Sequence, residues 1–164
     1  TRPGEALQEL RNGLLEQPDF ARETDRFVTV LFGQLTPRTG LLRLASAGHP
    51  TPFIVRSGSV ERPLLMTEPP IGVELDAALE PYPTEVVRLY RDDLIVLFTD
   101  GIAELRDDAG TFFESCIDEV LAGTHGARAA DVVARLVSAG ERFSSRPPAD
   151  DLAVLCIRLT AETE

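Results

Sequence analysis

Lysine is absent from the chain, and all 16 basic residues are arginine. That excludes Schiff-base chemistry on a lysine amine and a phosphate-binding loop built around one. Cysteine is almost as scarce. Cys116 and Cys156 are the only two, each set among apolar neighbours (Phe112, Phe113 and Ile117; Val154, Leu155 and Ile157), and both read as reduced core residues. With no CxxC spacing and only His49 and His125 besides, a structural zinc site has no ligand set. No apolar run approaches the roughly 20 residues needed to cross a bilayer, and no secretory signal opens the chain. A cytoplasmic protein without membrane contact is therefore expected. A basic surface is missing too: 27 acidic against 16 basic residues give a net charge of −11, which argues against nucleic acid as a partner.

What the chain does have is an ordinary globular balance, 43% hydrophobic and 26% charged, in 164 residues that suit a single domain (1–164) with a sizeable core. The surplus carboxylates suit hard cations, although solubility is their plainer explanation.

Leu7, Leu10, Leu14 and Leu15 fall on one face of a helix predicted over residues 4–16, which Gln17-Pro18-Asp19 interrupts. Phe27–Leu35 and Leu41–Ser46 read as two strands pairing antiparallel across the turn signal Thr36-Pro37-Arg38-Thr39-Gly40. Pro52–Arg56 resumes extended structure, and five prolines make residues 63–84 mainly loop. Glu85–Tyr90 and Leu94–Thr99 are strands joined at Arg91-Asp92-Asp93; the second lacks polar alternation until Thr99, as a buried central strand would. Helices are predicted over 112–122 and 129–143, both packed on one outer sheet face, and Leu152–Leu159 closes the chain as a second central strand. Val28, Val30, Leu44, Ile95, Leu97, Val154 and Ile157 are the expected core members. Neighbouring strands followed by helices and a last strand predict an α+β fold with antiparallel sheets.

The two strongest apolar strands both meet acids. LIVLFT runs into Asp100-Gly101, and Asp150-Asp151 runs into LAVLCIRL. Carboxylates held at neighbouring strand ends can converge on one cation, and Mg²⁺ or Mn²⁺ prefers such oxygen ligands. Gly101 leaves room for a close approach. Asp-Gly is equally a common turn dipeptide, and an acid pair before a strand also serves to cap or solubilise a loop.

Five segments in order set the context: Phe27-Val28-Thr29, Ala47-Gly48-His49-Pro50, Pro70-Ile71-Gly72-Val73, Phe98-Thr99-Asp100-Gly101-Ile102-Ala103-Glu104 and Asp150-Asp151-Leu152-Ala153-Val154. Together they resemble the metal-dependent protein phosphatase (PPM, protein phosphatase 2C-like) superfamily, in its sporulation stage II protein E-like branch, from about Glu5 onward. The resemblance implies an α+β fold, a β-sandwich of antiparallel sheets flanked by helices. It further implies hydrolysis of phosphoserine or phosphothreonine on a regulatory protein, typically an anti-sigma-factor antagonist. In the complete domain, two Mn²⁺ or Mg²⁺ ions would activate a water and neutralise phosphoryl charge, with no covalent phosphoenzyme. By position, Asp100 and Asp150 match metal ligands. Asp151 is the second choice of its pair, and Gly101 is the glycine beside the site.

Two further acidic motifs of the family, Gly-Asp-x-x-Asp and Asp-x-x-Gly-His-Gly, belong upstream of what is present, so the chain is expected to be a C-terminal part of the domain or a degenerate relative. Half a ligand set predicts weak Mn²⁺ binding and slow turnover, unless Asp151, Glu104 or Asp93 completes the site. Unpaired sheet edges would invite self-association, a homodimer for example, or strand exchange. The alternative reading is a catalytically inactive phosphatase-like module that binds a partner.

The remaining polar candidates read as structural. His49 bonds backbone near the site where a strand breaks at Pro50, rather than acting as a general acid. His125 is a solvated residue between helices. Glu104 either orients a metal-bound water or pairs with Arg106. Arg106, Arg142 and Arg146 could receive a phosphoprotein. A Ser46, His49 and Asp100 triad has no Gly-x-Ser-x-Gly elbow behind it.

Overall fold

The hairpin that the Thr36–Gly40 turn signal predicts is present in the computed structural model, which describes residues 2–18, 20, 26–73 and 81–160. Strands β1 (Val30–Thr36) and β2 (Leu41–Ala47) pair antiparallel, from Val30 opposite Ala47 to Thr36 opposite Leu41. Two compact units share the chain: Thr1–His49 with Leu64–Arg88, and Pro50–Pro63 with Leu89–Glu164.

In the first unit, β2 is the strand the others depend on. One edge takes β1, and the other is divided between β6 (Glu85–Arg88), antiparallel to Leu41–Leu44, and β5 (Thr67–Glu68), parallel to Ser46 and Ala47. The sheets are antiparallel as expected apart from this two-residue parallel pair, for which a proline-rich loop carries no direction signal. Helix α1 (Pro3–Leu15) has proline in its first turn, where a missing N–H costs nothing, and Glu5 accepts the Arg2 N–H at 3.0 Å. Leu7 is fully buried against Ala45, Ala47, Ile71 and Tyr82, with Leu14 at the margin. Leu10 and Leu15 stay exposed, so the buried stripe is narrower than four leucines suggested. Val28 is exposed as well. It meets Ile71 only through an isolated backbone bridge before the sheet begins. The expected interruption falls where α1 ends, with Asp19 outside the described residues, as are 74–80 of the proline-rich stretch.

The second unit is one antiparallel sheet in the order β4 (Ser59–Glu61), β3 (Phe53–Arg56), β7 (Leu94–Phe98), β8 (Val154–Arg158). Strand β7 is central and almost wholly buried, as its unbroken apolar run predicts. One face carries Phe53, Val55, Leu94, Val96 and Phe98 into a core with Ile117, Leu121, Val132 and Leu136. Those last four come from α3 (Ile117–Leu121), entered through a 3-10 turn at Phe113–Cys116, and from α4 (Ala129–Phe143). Val132, Leu136 and Gly140 repeat every four residues, so α4 offers one stripe to the sheet. Burying the Val132 and Leu136 side chains stabilises the unit by about 1.5–3 kcal/mol each. Both helices lie on one face, as expected.

Strand β8, by contrast, is not central. Among the described residues it is the sheet's edge, and Leu155 and Ile157 are exposed on the face away from α4. The core members Val28 and Ile157 were therefore misplaced, whereas Leu44 and Ile95 are buried and Val30, Leu97 and Val154 are half-buried.

Candidate metal centre

The apolar run of β7 ends at Thr99, whose backbone (φ −83°, ψ 160°) leaves the strand and opens the short helix α2 (Asp100–Ala103). Thr99 does not cap that helix with its side chain. It reaches instead to the chain entering β8. Its hydroxyl donates to the Asp151 carbonyl at 3.0 Å and accepts the Ala153 N–H at 2.9 Å, while its own N–H donates to the Ala153 carbonyl at 3.0 Å. Three hydrogen bonds thus extend the β7–β8 pairing one step beyond Phe98 and Val154.

The next two residues use that junction differently. Asp100 occupies the first helical position and is exposed. Gly101 is buried, and a Cβ there would stand 2.5 Å from the Asp151 carbonyl oxygen and 3.0 Å from that of Asp150. Backbone atoms cannot retreat as a side-chain tip can. Glycine is required for contact rather than for turn geometry, and the cradle that a methyl would fill is what lets the acid pair lie against the Asp100 segment.

Asp150 and Asp151 are both exposed. Asp150 commits one carboxylate oxygen to the Asp151 N–H at 2.7 Å, and the Asp151 backbone is held by Thr99 and by contact with Gly101. The structure thus brings Asp100, Gly101, Asp150 and Asp151 to one place, the end of β7. The donors are carboxylates and carbonyls, the oxygen chemistry of a hard divalent ion. Among the described residues, no group of three or more His, Cys, Asp or Glu side chains stands together to hold a metal.

The other candidates have partners of their own. Glu104 ends α2, exposed, its N–H bonded to the Asp100 carbonyl at 2.8 Å. The Arg106 guanidinium lies 4.0 Å over the Phe112 ring. His49 belongs to the first unit, where its Nδ1 is 3.4 Å from the Thr29 hydroxyl and its carbonyl accepts the Ser46 hydroxyl. Asp93 precedes β7, at the opposite end of the strand from Asp100, and cannot join it.

Asp93 instead anchors a polar cluster that sequence reasoning missed. It is buried, accepts the Tyr90 N–H at 2.9 Å, and has Arg56 Nε at 3.9 Å and His125 Nε2 at 3.7 Å. His125, half-buried between the helices, thus stands beside a buried carboxylate rather than free in solvent. Beside it, the Arg158 guanidinium bonds Asp92 at 2.5 and 3.1 Å and holds that carboxyl below the usual range. Burial pushes the Cys156 thiol up to about 11, as a reduced residue in apolar surroundings should behave. Nothing in Arg91-Asp92-Asp93 distinguishes the buried acid from the half-buried one. Thr99, in contrast, had a signal: it is the first polar residue after five apolar ones.

The fold is that of PP2C-type phosphatase domains. The SiaA-PP2C domain of Pseudomonas aeruginosa superposes with a TM-score of 0.77 at 17% identity, covering 96% of this chain and 60% of that one. The RsbU and RsbW domains of Rv1364c from Mycobacterium tuberculosis give 0.74 at 20% identity over 100% of this chain and 44% of that one. The phosphatase domain of the cell fate determinant SpoIIE from Bacillus subtilis, presoaked with Mn, gives 0.66 at 18% identity over 96% and 74%. The family model for stage II sporulation protein E (SpoIIE) matches residues 1–160, and the chain belongs to that family. No curated protein matches it. The chain spans less than half of the Mycobacterium structure it resembles.

Proposed function

We propose that this chain is the C-terminal part of a metal-dependent protein serine/threonine phosphatase domain, to which both compact units belong. The observation that carries the reading is the junction at the end of β7: Asp100 exposed at the start of α2, with the Asp150–Asp151 backbone seated in the space that Gly101 leaves. Asp100 and Asp150 would hold a Mn²⁺ or Mg²⁺ ion, which supplies positive charge against phosphoryl oxygens when bound. The protein's own part is to hold Asp100 at the start of α2 and the Asp150–Asp151 backbone against Gly101. The remaining ligands of a two-ion site come from outside the described residues, since each ion takes about six oxygens.

The substrate is a phosphoserine or phosphothreonine on a regulatory protein, an anti-sigma-factor antagonist being the partner that the family resemblance implies. The setting is cytoplasmic. In support, none of the described helices is long and apolar enough to cross a membrane.

Mn²⁺-dependent release of phosphate from such a phosphoprotein by the full-length protein tests the reading, with Asp100→Asn and Asp150→Asn as controls. Both should abolish turnover and leave the circular dichroism spectrum unchanged. Full turnover in both variants would sink the assignment. The incomplete ligand group favours a second reading, a phosphatase-like module that binds its partner without hydrolysis. That reading predicts partner capture with no metal-dependent turnover in the full-length protein.

A further inference from the structure

We infer that Thr99 is a positioning residue: its hydroxyl sets where the Asp150 carboxylate stands relative to Asp100. The proposal rests on the metal reading above for its purpose, and on hydrogen bonds and the Gly101 contact for its geometry. Residues 145–151, leading from α4 to β8, are all exposed, so no apolar burial fixes their course. One outer tie is the Ser145 hydroxyl, which bonds Asp108 Oδ1 at 2.9 Å. At the inner end Leu152 packs against the core, and Thr99 bonds the Asp151 carbonyl and the Ala153 N–H on either side of it.

Two opposed constraints meet there. Thr99 pulls the Asp151 backbone inward, and the missing Cβ of Gly101 sets how far it can come. A hydroxyl is the group needed, because one atom must donate to a carbonyl and accept from an amide at once. Valine has the same shape and can do neither; serine can do both.

Amide exchange and Mn²⁺ titration on the 164-residue chain, followed by NMR, test this in wild type, Thr99→Val and Thr99→Ser. In Thr99→Val the Ala153 amide should exchange about tenfold faster, with Val154–Arg158 unchanged, as expected for loss of one hydrogen bond without unfolding. Paramagnetic broadening of Asp100 and Asp150 should then need several-fold more Mn²⁺ than in wild type. Thr99→Ser should restore both readouts, which a purely steric role for threonine would not allow. Unchanged exchange at Ala153 in Thr99→Val overturns the latch. Faster exchange with unchanged Mn²⁺ dependence overturns the positioning role while leaving the metal reading intact. No broadening at Asp100 or Asp150 in wild type overturns the positioning role in this chain, while the metal reading is decided separately by turnover in the full-length protein.

Discussion

Gly101 packs so closely on Asp151 that a Cβ would lie 2.5 Å from its carbonyl oxygen. Gly101→Ala is therefore a test with two opposing contributions. Alanine should gain about 1 kcal/mol of helix propensity in α2. Overpacking against backbone costs about 1–3 kcal/mol. The expected outcome is net destabilisation in urea unfolding together with weaker Mn²⁺ binding. A more stable variant would show that the contact is looser than described.

The Asp92–Arg158 pair should leave a mark on the acid limb of stability. Asp92 has its folded pKa lowered, chiefly by the hydrogen bond from Arg158. A lowered carboxyl stabilises the fold above its unfolded value of about 3.9 and loses that contribution as pH falls through the folded value. Wild type should exceed Asp92→Asn in unfolding free energy at neutral pH, and the difference should close as acid is added. A difference constant down to the lowest pH would contradict the ion pair.

Cys156 should be a slow nucleophile. Its thiol is pushed to about 11 by burial, so at neutral pH almost no thiolate is present. In a Cys116→Ser background, iodoacetamide labelling should keep accelerating through pH 10. A plateau near the ordinary thiol value of about 8.5 would mean that the residue is wetter than its packing indicates.

Two leucines of one unit should differ sharply. Leu136 is fully buried beneath the sheet, and Leu136→Ala should cost about 2–5 kcal/mol in chemical denaturation. Leu155 is 56% exposed on the outer face of β8, and Leu155→Ala should change stability by less than about 1 kcal/mol. Equal losses would show that the exposed face of β8 is covered in solution.

Much of this architecture was legible because it is local. The repeat of Val132, Leu136 and Gly140 defines α4, turn chemistry defines the β1–β2 hairpin, and an unbroken apolar run defines β7. Asp100 and the Asp150–Asp151 pair stood out in the sequence as acids beside the two most apolar runs, although β8 begins only at Val154. The position of β8 was not, because LAVLCIRL is as apolar as LIVLFT and only strand order decides which is flanked on both sides. Asp93 escaped for a related reason. Its burial depends on Arg56 and His125 arriving from segments far along the chain. Thr99 was visible as the end of a strand, yet its partners lie across the sheet.

Each compact unit is assembled from two stretches that alternate along the chain, so neither is complete when the next begins. During synthesis the hairpin of β3 and β4 emerges before β5 and β6 have closed the first sheet on Arg88. It must then wait with an open edge until Leu94 brings β7, and the sheet is finished only when Arg158 leaves the ribosome. Such interleaving makes early contacts long-range, which slows folding and exposes apolar strands to other chains in the meantime. A nascent chain halted before β5 contains no complete unit, and no single cut separates one unit from the other.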